Sequence, residues 1–176
     1  KNHLYVIVGE NGAGKSTLCK LLCRLYDVSD GEILYNNYNI KDINYKTYRG
    51  NIGVVFQNYK YYEMTIAENV ALNEYDGTDE SRNRVLKCLC KAGLKDKIDS
   101  LPLGIDTPLG TSFDKNGTLL SGGETQKLTL ARVLYKASPI VILDEPSSAL
   151  DPKSENELIN TYLNALNNKT IFYVSH

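Results

Sequence analysis

The sequence predicts an α/β fold with a mainly parallel sheet, interrupted by an inserted α-helical subdomain. Three observations carry this. An apolar run, Leu4-Tyr5-Val6-Ile7-Val8, leads directly into a glycine-rich segment, Gly9 to Thr17. Two more apolar runs, Ile140 to Leu143 and Thr170 to Val174, return near the end of the chain. Between them, from Tyr59 to Asn116, apolar residues recur at helical spacing instead. The reading is one partial domain, with an α/β core at 1–58 and 117–176 and a helical subdomain at 59–116. A chain of 176 residues is long enough for it, burying about 70% of its unfolded surface.

Leu4 to Val8 reads as a buried strand and Leu18 to Tyr26 as a helix. The segment between them is Gly, four residues, then Gly-Lys-Ser, which in this strand-loop-helix setting is a phosphate-binding loop. Gly9, Gly12 and Gly14 are expected to allow positive φ and close approach to an anion. Amides from Glu10, Asn11 and Ala13 through the first helical turn then face the phosphates, favoured by the helix dipole. Lys15 is expected at the β- and γ-phosphates of a nucleotide, Ser16 on a magnesium ion and Thr17 at the α-phosphate.

Gly31 to Tyr35 followed by Asn36-Asn37 reads as a strand and turn, and Ile52 to Gln57 as another strand. In the helical stretch, Thr65 opens a helix to Leu72. Asp79 to Ala92 forms another, with Val85, Leu86 and Leu89 at helical spacing, and Gly93 stops it. Leu120-Ser121-Gly122-Gly123-Glu124 introduces a helix running to Leu134. Ser121 with the bare amides of Gly122 and Gly123 offers a second anion site at a helix start. Ile140 to Leu143 reads as a buried parallel strand delivering Asp144 and Glu145 at its carboxyl end, where ligands bind in open α/β sheets. A helix over Pro152–Leu166 and a strand over Thr170–Val174, ending at Ser175-His176, complete the chain.

The order GENGAGKST, LLSGGE, VILDEPSSALD resembles the ATP-binding cassette family, whose signature sequence is LSGGQ. The resemblance implies a P-loop NTPase core using ATP and Mg2+. Asp144, Ser16 and Gln57 would then serve the metal, while Glu145 polarises the attacking water and His176 bonds the γ-phosphate. It also implies a head-to-tail dimer, in which Ser121, Gly122 and Gly123 cap the nucleotide on the partner's phosphate loop and Ser148 to Asp151 crosses the interface. One departure is Glu124, where the family usually has Gln; its role is left open. Thr65 to Val70 and Leu101 to Gly110 resemble the exporter branch, and the longer 111–116 loop some peptide and lantibiotic exporters. Tyr59, Lys60, Tyr61 and Tyr62 fall where the family docks its membrane domain. The aromatic that stacks on adenine is expected upstream of Lys1.

The totals bound the alternatives. A net charge of −1, from 20 basic and 21 acidic residues, gives no electrostatic footprint for nucleic acid, so no nucleic-acid partner is expected. No apolar run approaches the roughly 18 residues of a membrane span. The four cysteines lack zinc spacing and read as small buried hydrophobes of a reducing compartment. No Asn-Lys-x-Asp guanine-reading motif occurs. The leading expectation is the ATPase part of an exporter, soluble as a piece and working at the cytoplasmic face of the cell membrane with a transmembrane domain and a second nucleotide-binding domain. The alternative is a soluble cassette ATPase acting on nucleic acid or ribosomes, which the short 59–116 stretch disfavours because it has no room for a long coiled coil. A binding protein without turnover is disfavoured by Glu145 and His176.

Overall fold

Residues 3–58, 60–111, 117–146 and 152–175 are described by the structure, a computed structural model, with only the backbone given for 152–154. The chain divides into two compact units. The first comprises Lys1–Gln57, Ala137–Pro146 and Asn168–His176. The second comprises Asn58–Lys136 and Ser147–Asn167.

In the first unit, strands β1 (Leu4–Val8), β4 (Ile52–Val55), β5 (Ile140–Asp144) and β6 (Thr170–Ser175) form one sheet in the order β1-β6-β5-β4. Every neighbouring pair in it is parallel. The register sets Val8 opposite Ser175, Asp144 opposite Val174 and Val55 opposite Leu143. The carboxyl ends of these strands therefore meet at one edge, and the segments that follow them start there. Strand β5 is central, and Val141 to Asp144 are all buried, as a strand with neighbours on both sides requires. The sequence makes β1 a buried strand too, but it is the sheet's edge, and Leu4, Tyr5, Val6 and Val8 are all exposed. A run of apolar residues reports strand formation, whereas burial depends on what packs against each face.

Helix α1 (Lys15–Leu22) starts earlier and stops earlier than its apolar pattern indicates. Gly14, at φ 90°, sets its start, and Arg24, at φ 50°, turns the chain away after it. The Arg24 guanidinium then donates to the carbonyls of Ile43 (2.6 Å) and Lys41 (2.9 Å). The hairpin β2 (Leu34–Tyr35) and β3 (Tyr38–Asn39) turns on Asn36 and Asn37, both in the left-handed region that a two-residue turn needs. Helix α2 (Tyr45–Gly50) is capped by Asn44. Cys19, Cys23, Ile40, Tyr48, Ile52, Ile142 and Val174 pack into the core of this unit.

The second unit is built around α6 (Gly122–Lys136), which packs on α3 (Ile66–Ala71), α4 (Asp79–Lys91) and α7 (Pro152–Ala165). Thr65 and Glu68 close a capping box at the start of α3, and Thr78 caps α4. Leu128, Leu130, Ile66, Val70, Val85 and Leu89 are buried. By sequence, 117–136 and 147–167 go with the α/β core. Here they fall in the second unit, because the apolar faces of α6 and α7 pack on helices. Among the described residues no helix is long and apolar enough to cross a membrane. Cys19, Cys23 and Cys88 are buried, but Cys90 is exposed, contrary to its reading as a core residue.

Candidate active site

Six side chains from three segments of the first unit converge on one cavity of about 430 Å³, lined by Asn11, Gly12, Gly14, Lys15, Ser16, Thr17, Gln57 and Glu145. Gly12 (φ 83°) and Gly14 (φ 90°) take the left-handed conformation that an L side chain resists, which lets the loop curl around the mouth of α1. Gly9 does not, and a methyl group there would make only ordinary contact at 3.6 Å. The sequence-based requirement for positive φ therefore fails at Gly9. Its contribution is a carbonyl: Lys15 Nζ donates to Gly9 O at 2.6 Å and to Glu10 O at 3.1 Å.

Lys15 is 8% exposed, and its ammonium also stands 3.8 Å from Glu145 Oε1. Ser16 Oγ donates to Asp144 Oδ1 at 3.2 Å, joining the head of α1 to the end of β5. Gln57 Nε2 donates to Glu145 Oε2 at 2.9 Å. Burial pushes the Asp144 carboxyl above its ordinary range; the Ser16 hydrogen bond opposes this and the neighbouring Glu145 charge adds to it. A carboxylate in this state is one that a cation would stabilise. Glu145 holds a left-handed backbone (φ 49°) outside glycine's domain, with its N–H donating to Val174 O at 3.2 Å. That conformation costs energy, and here it coincides with a carboxylate at the cavity wall.

Among the described residues no cluster of three or more His, Cys, Asp or Glu could hold a metal by itself. The hydroxyl of Ser16 beside the carboxylate of Asp144 is the sparse oxygen set that suits magnesium completed by phosphates and water.

Ser121, Gly122 and Gly123 head α6 in the second unit, as the sequence places them. Ser121 and Glu124 form a capping box: Ser121 N donates to Glu124 Oε2 (2.8 Å) and Glu124 N to Ser121 Oγ (3.2 Å). Sequence reading left Glu124 without a role, although the Ser-x-x-Glu spacing is the signal for this motif. His176, Tyr59, the 112–116 part of the longer loop and the segment Ser148 to Asp151 lie outside the described residues.

The ABC transporter family profile matches residues 1–148. The chain belongs to the ABC transporter family. It is 39% identical to the subtilin transport ATP-binding protein SpaT of Bacillus subtilis over 178 residues, covering 100% of this chain and 28% of that protein. To the nisin transport ATP-binding protein NisT of Lactococcus lactis subsp. lactis it is 39% identical, covering 100% of this chain and 29% of the relative. The ATP-dependent lipid A-core flippase of Idiomarina loihiensis is 38% identical across 97% of this chain and 28% of its own length. A solved bacterial Atm1-family ABC exporter with ATP bound matches with a TM-score of 0.84 and 35% identity, over 99% of this chain and 30% of that one. The α/β fold is thus that of an ABC exporter's ATPase domain, and the chain spans between a quarter and a third of these relatives' lengths.

Proposed function

We propose that this chain is the ATP-hydrolysing part of an exporter, driving transport through an associated transmembrane domain at the cytoplasmic face of the membrane. The observation that carries the reading is the convergence of Lys15, Ser16, Gln57 and Glu145 on one cavity, with Asp144 bonded to Ser16. ATP binds with its triphosphate along the loop from Gly9 to Thr17, where amides, the helix dipole and Lys15 meet its charge. Ser16, Asp144 and Gln57 hold Mg2+, which neutralises phosphate charge when bound. Glu145 accepts a proton from the attacking water, with Gln57 and His176 orienting the reacting groups. Ser121, Gly122 and Gly123 act in a head-to-tail dimer, on the nucleotide held by a second nucleotide-binding domain. The relatives named for subtilin, nisin and lipid A-core transport are nearly equally identical to this chain, which supports a cargo selected outside it.

The test is Glu145→Gln in the full-length protein. Its amide cannot take the proton, and loss of a general base lowers turnover on the order of 10²–10⁴-fold. ATP binding is expected to persist. Turnover at the wild-type rate would remove Glu145 from the reaction.

A further inference from the structure

Glu124 puts a negative charge at the third position of the helix that Ser121 opens. If Ser121 works on a phosphate, as proposed above, that carboxylate is both useful and harmful. It closes the capping box, yet its charge opposes an incoming anion. The structure shows how the conflict is met. The two carboxylate oxygens are divided: Oε2 accepts from Ser121 N at 2.8 Å, and Oε1 lies 3.5 Å from the ammonium of Lys97. Lys97 belongs to α5 (Lys95–Asp99), which buried Leu94 and Ile98 anchor. The nearby Lys95 is already engaged by Asp99, so Lys97 is the cation of α5 paired with the head of α6.

We propose that Lys97 is a positioning residue for the signature segment, holding Glu124 so that Ser121 stays fixed at the head of α6 while the carboxylate's charge is masked from an approaching phosphate. Ser121 is committed on three sides. Its N–H goes to Glu124, its Oγ accepts the Glu124 N–H at 3.2 Å, and its carbonyl takes both Thr125 N and Thr125 Oγ1 at 2.9 Å. What remains for a ligand is the hydroxyl proton with the amides of Gly122 and Gly123, where an added Cβ would meet nothing within 4 Å. The pair is partly shielded, with the two side chains 26% and 27% exposed, so water and salt screen it less than a fully exposed pair. The Glu124 carboxyl loses some stabilisation to burial, but the Ser121 hydrogen bonds and the Lys97 charge outweigh it and hold the group below the usual carboxylate range. With Gln at this position the capping box would close without a charge to mask, and Lys97 would be dispensable.

A double-mutant cycle in the full-length protein tests this, with ATPase kcat/KM and thermal melting read for each variant. Lys97→Met is expected to lower kcat/KM by about three- to ten-fold, which is at or above the usual reach of a partly exposed pair because a multiply charged triphosphate senses the unmasked carboxylate. Lys97→Arg restores most of the loss. In a Glu124→Gln background, Lys97→Met costs less than about two-fold, since no charge is left to mask. Melting temperatures stay close to wild type throughout. An equal loss from Lys97→Met in both backgrounds, or none in either, overturns the proposal. Ser121→Ala separates the two levels of the argument. If it lowers activity while the cycle is additive, the role of Lys97 fails and the reading of Ser121 stands; if it changes nothing, the reading of Ser121 itself fails.

Discussion

Replacing Asn69 should unfold the second unit more readily than any neighbouring polar substitution, and the structure gives the size of the effect. Asn69 is 0% exposed. Its amide nitrogen donates to the carbonyls of Tyr62 (2.9 Å), Met64 (3.2 Å) and Thr65 (3.0 Å). Its side-chain oxygen accepts from Tyr62 N (2.8 Å) and from Arg132 Nη2 (3.3 Å). One side chain thus ties residues 62–65 to both α3 and α6. The five bonds do not count equally. Thr65 O keeps a backbone partner in Asn69 N, and Met64 O keeps Leu109 N, both at 2.9 Å. Arg132 keeps Asn69 O through Nε at 2.8 Å. Tyr62 O likewise keeps Met64 N at 2.8 Å, so the losses that remain are the acceptor of Tyr62 N–H and a share of the others. At a net ~1 kcal/mol per bond, rising to about 1–3 for a group left buried and unpaired, Asn69→Ala should cost about 2–4 kcal/mol. Asn69→Asp discriminates the cause. It keeps the shape but removes both donors and sets a carboxylate against three carbonyls, so it should cost at least as much as Ala. Urea unfolding followed by circular dichroism measures both. If Asp proves milder than Ala, shape rather than hydrogen bonding holds this segment, and the reasoning is wrong.

Three other outcomes are expected. Alkylation of the native chain should label Cys90 alone, because Cys19, Cys23 and Cys88 are buried and burial pushes the Cys19 thiol up to about 12; mass spectrometry should find one adduct natively and four in denaturant. Removing divalent cations with EDTA should abolish hydrolysis, and Asp144→Asn should raise the magnesium needed for half-maximal activity by about ten-fold or more, since the carboxylate is the one charged ligand assigned to the metal; an unchanged magnesium curve would contradict that assignment. At Glu145, whose φ is 49°, Gly should give a protein about 1 kcal/mol more stable than Ala, because only Gly takes this conformation without strain; equal melting temperatures would mean the backbone relaxes there.

What the sequence determined by itself were the features that need contiguous residues. A phosphate loop must follow a strand and open a helix, so Gly9 to Thr17 was readable from local order, as were Asp144 and Glu145 at the end of an apolar, β-branched run. The starts of α3 and α4 were readable for the same reason, since a cap and its helix are neighbours in the chain, whereas α1 begins at Lys15 rather than Leu18 and α2, capped by Asn44, was not read from the sequence. Helix ends were less so: α1 stops at Leu22 because Arg24 turns left-handed and bonds to residues 41 and 43. The tertiary structure alone decided the rest. Pairing of β5 with β6 and β4 fixed which strand is buried and left β1 at the edge. It also brought Gln57 to Glu145 and Ser16 to Asp144, each pair 88 or more residues apart in sequence. Asn69 meets Arg132 and Lys97 meets Glu124 in the same way. Such contacts have no local pattern to betray them: hydrophobic periodicity says which face of an element turns inward, but a hydrogen bond or ion pair between distant elements depends on register and packing, which exist only once the chain has folded.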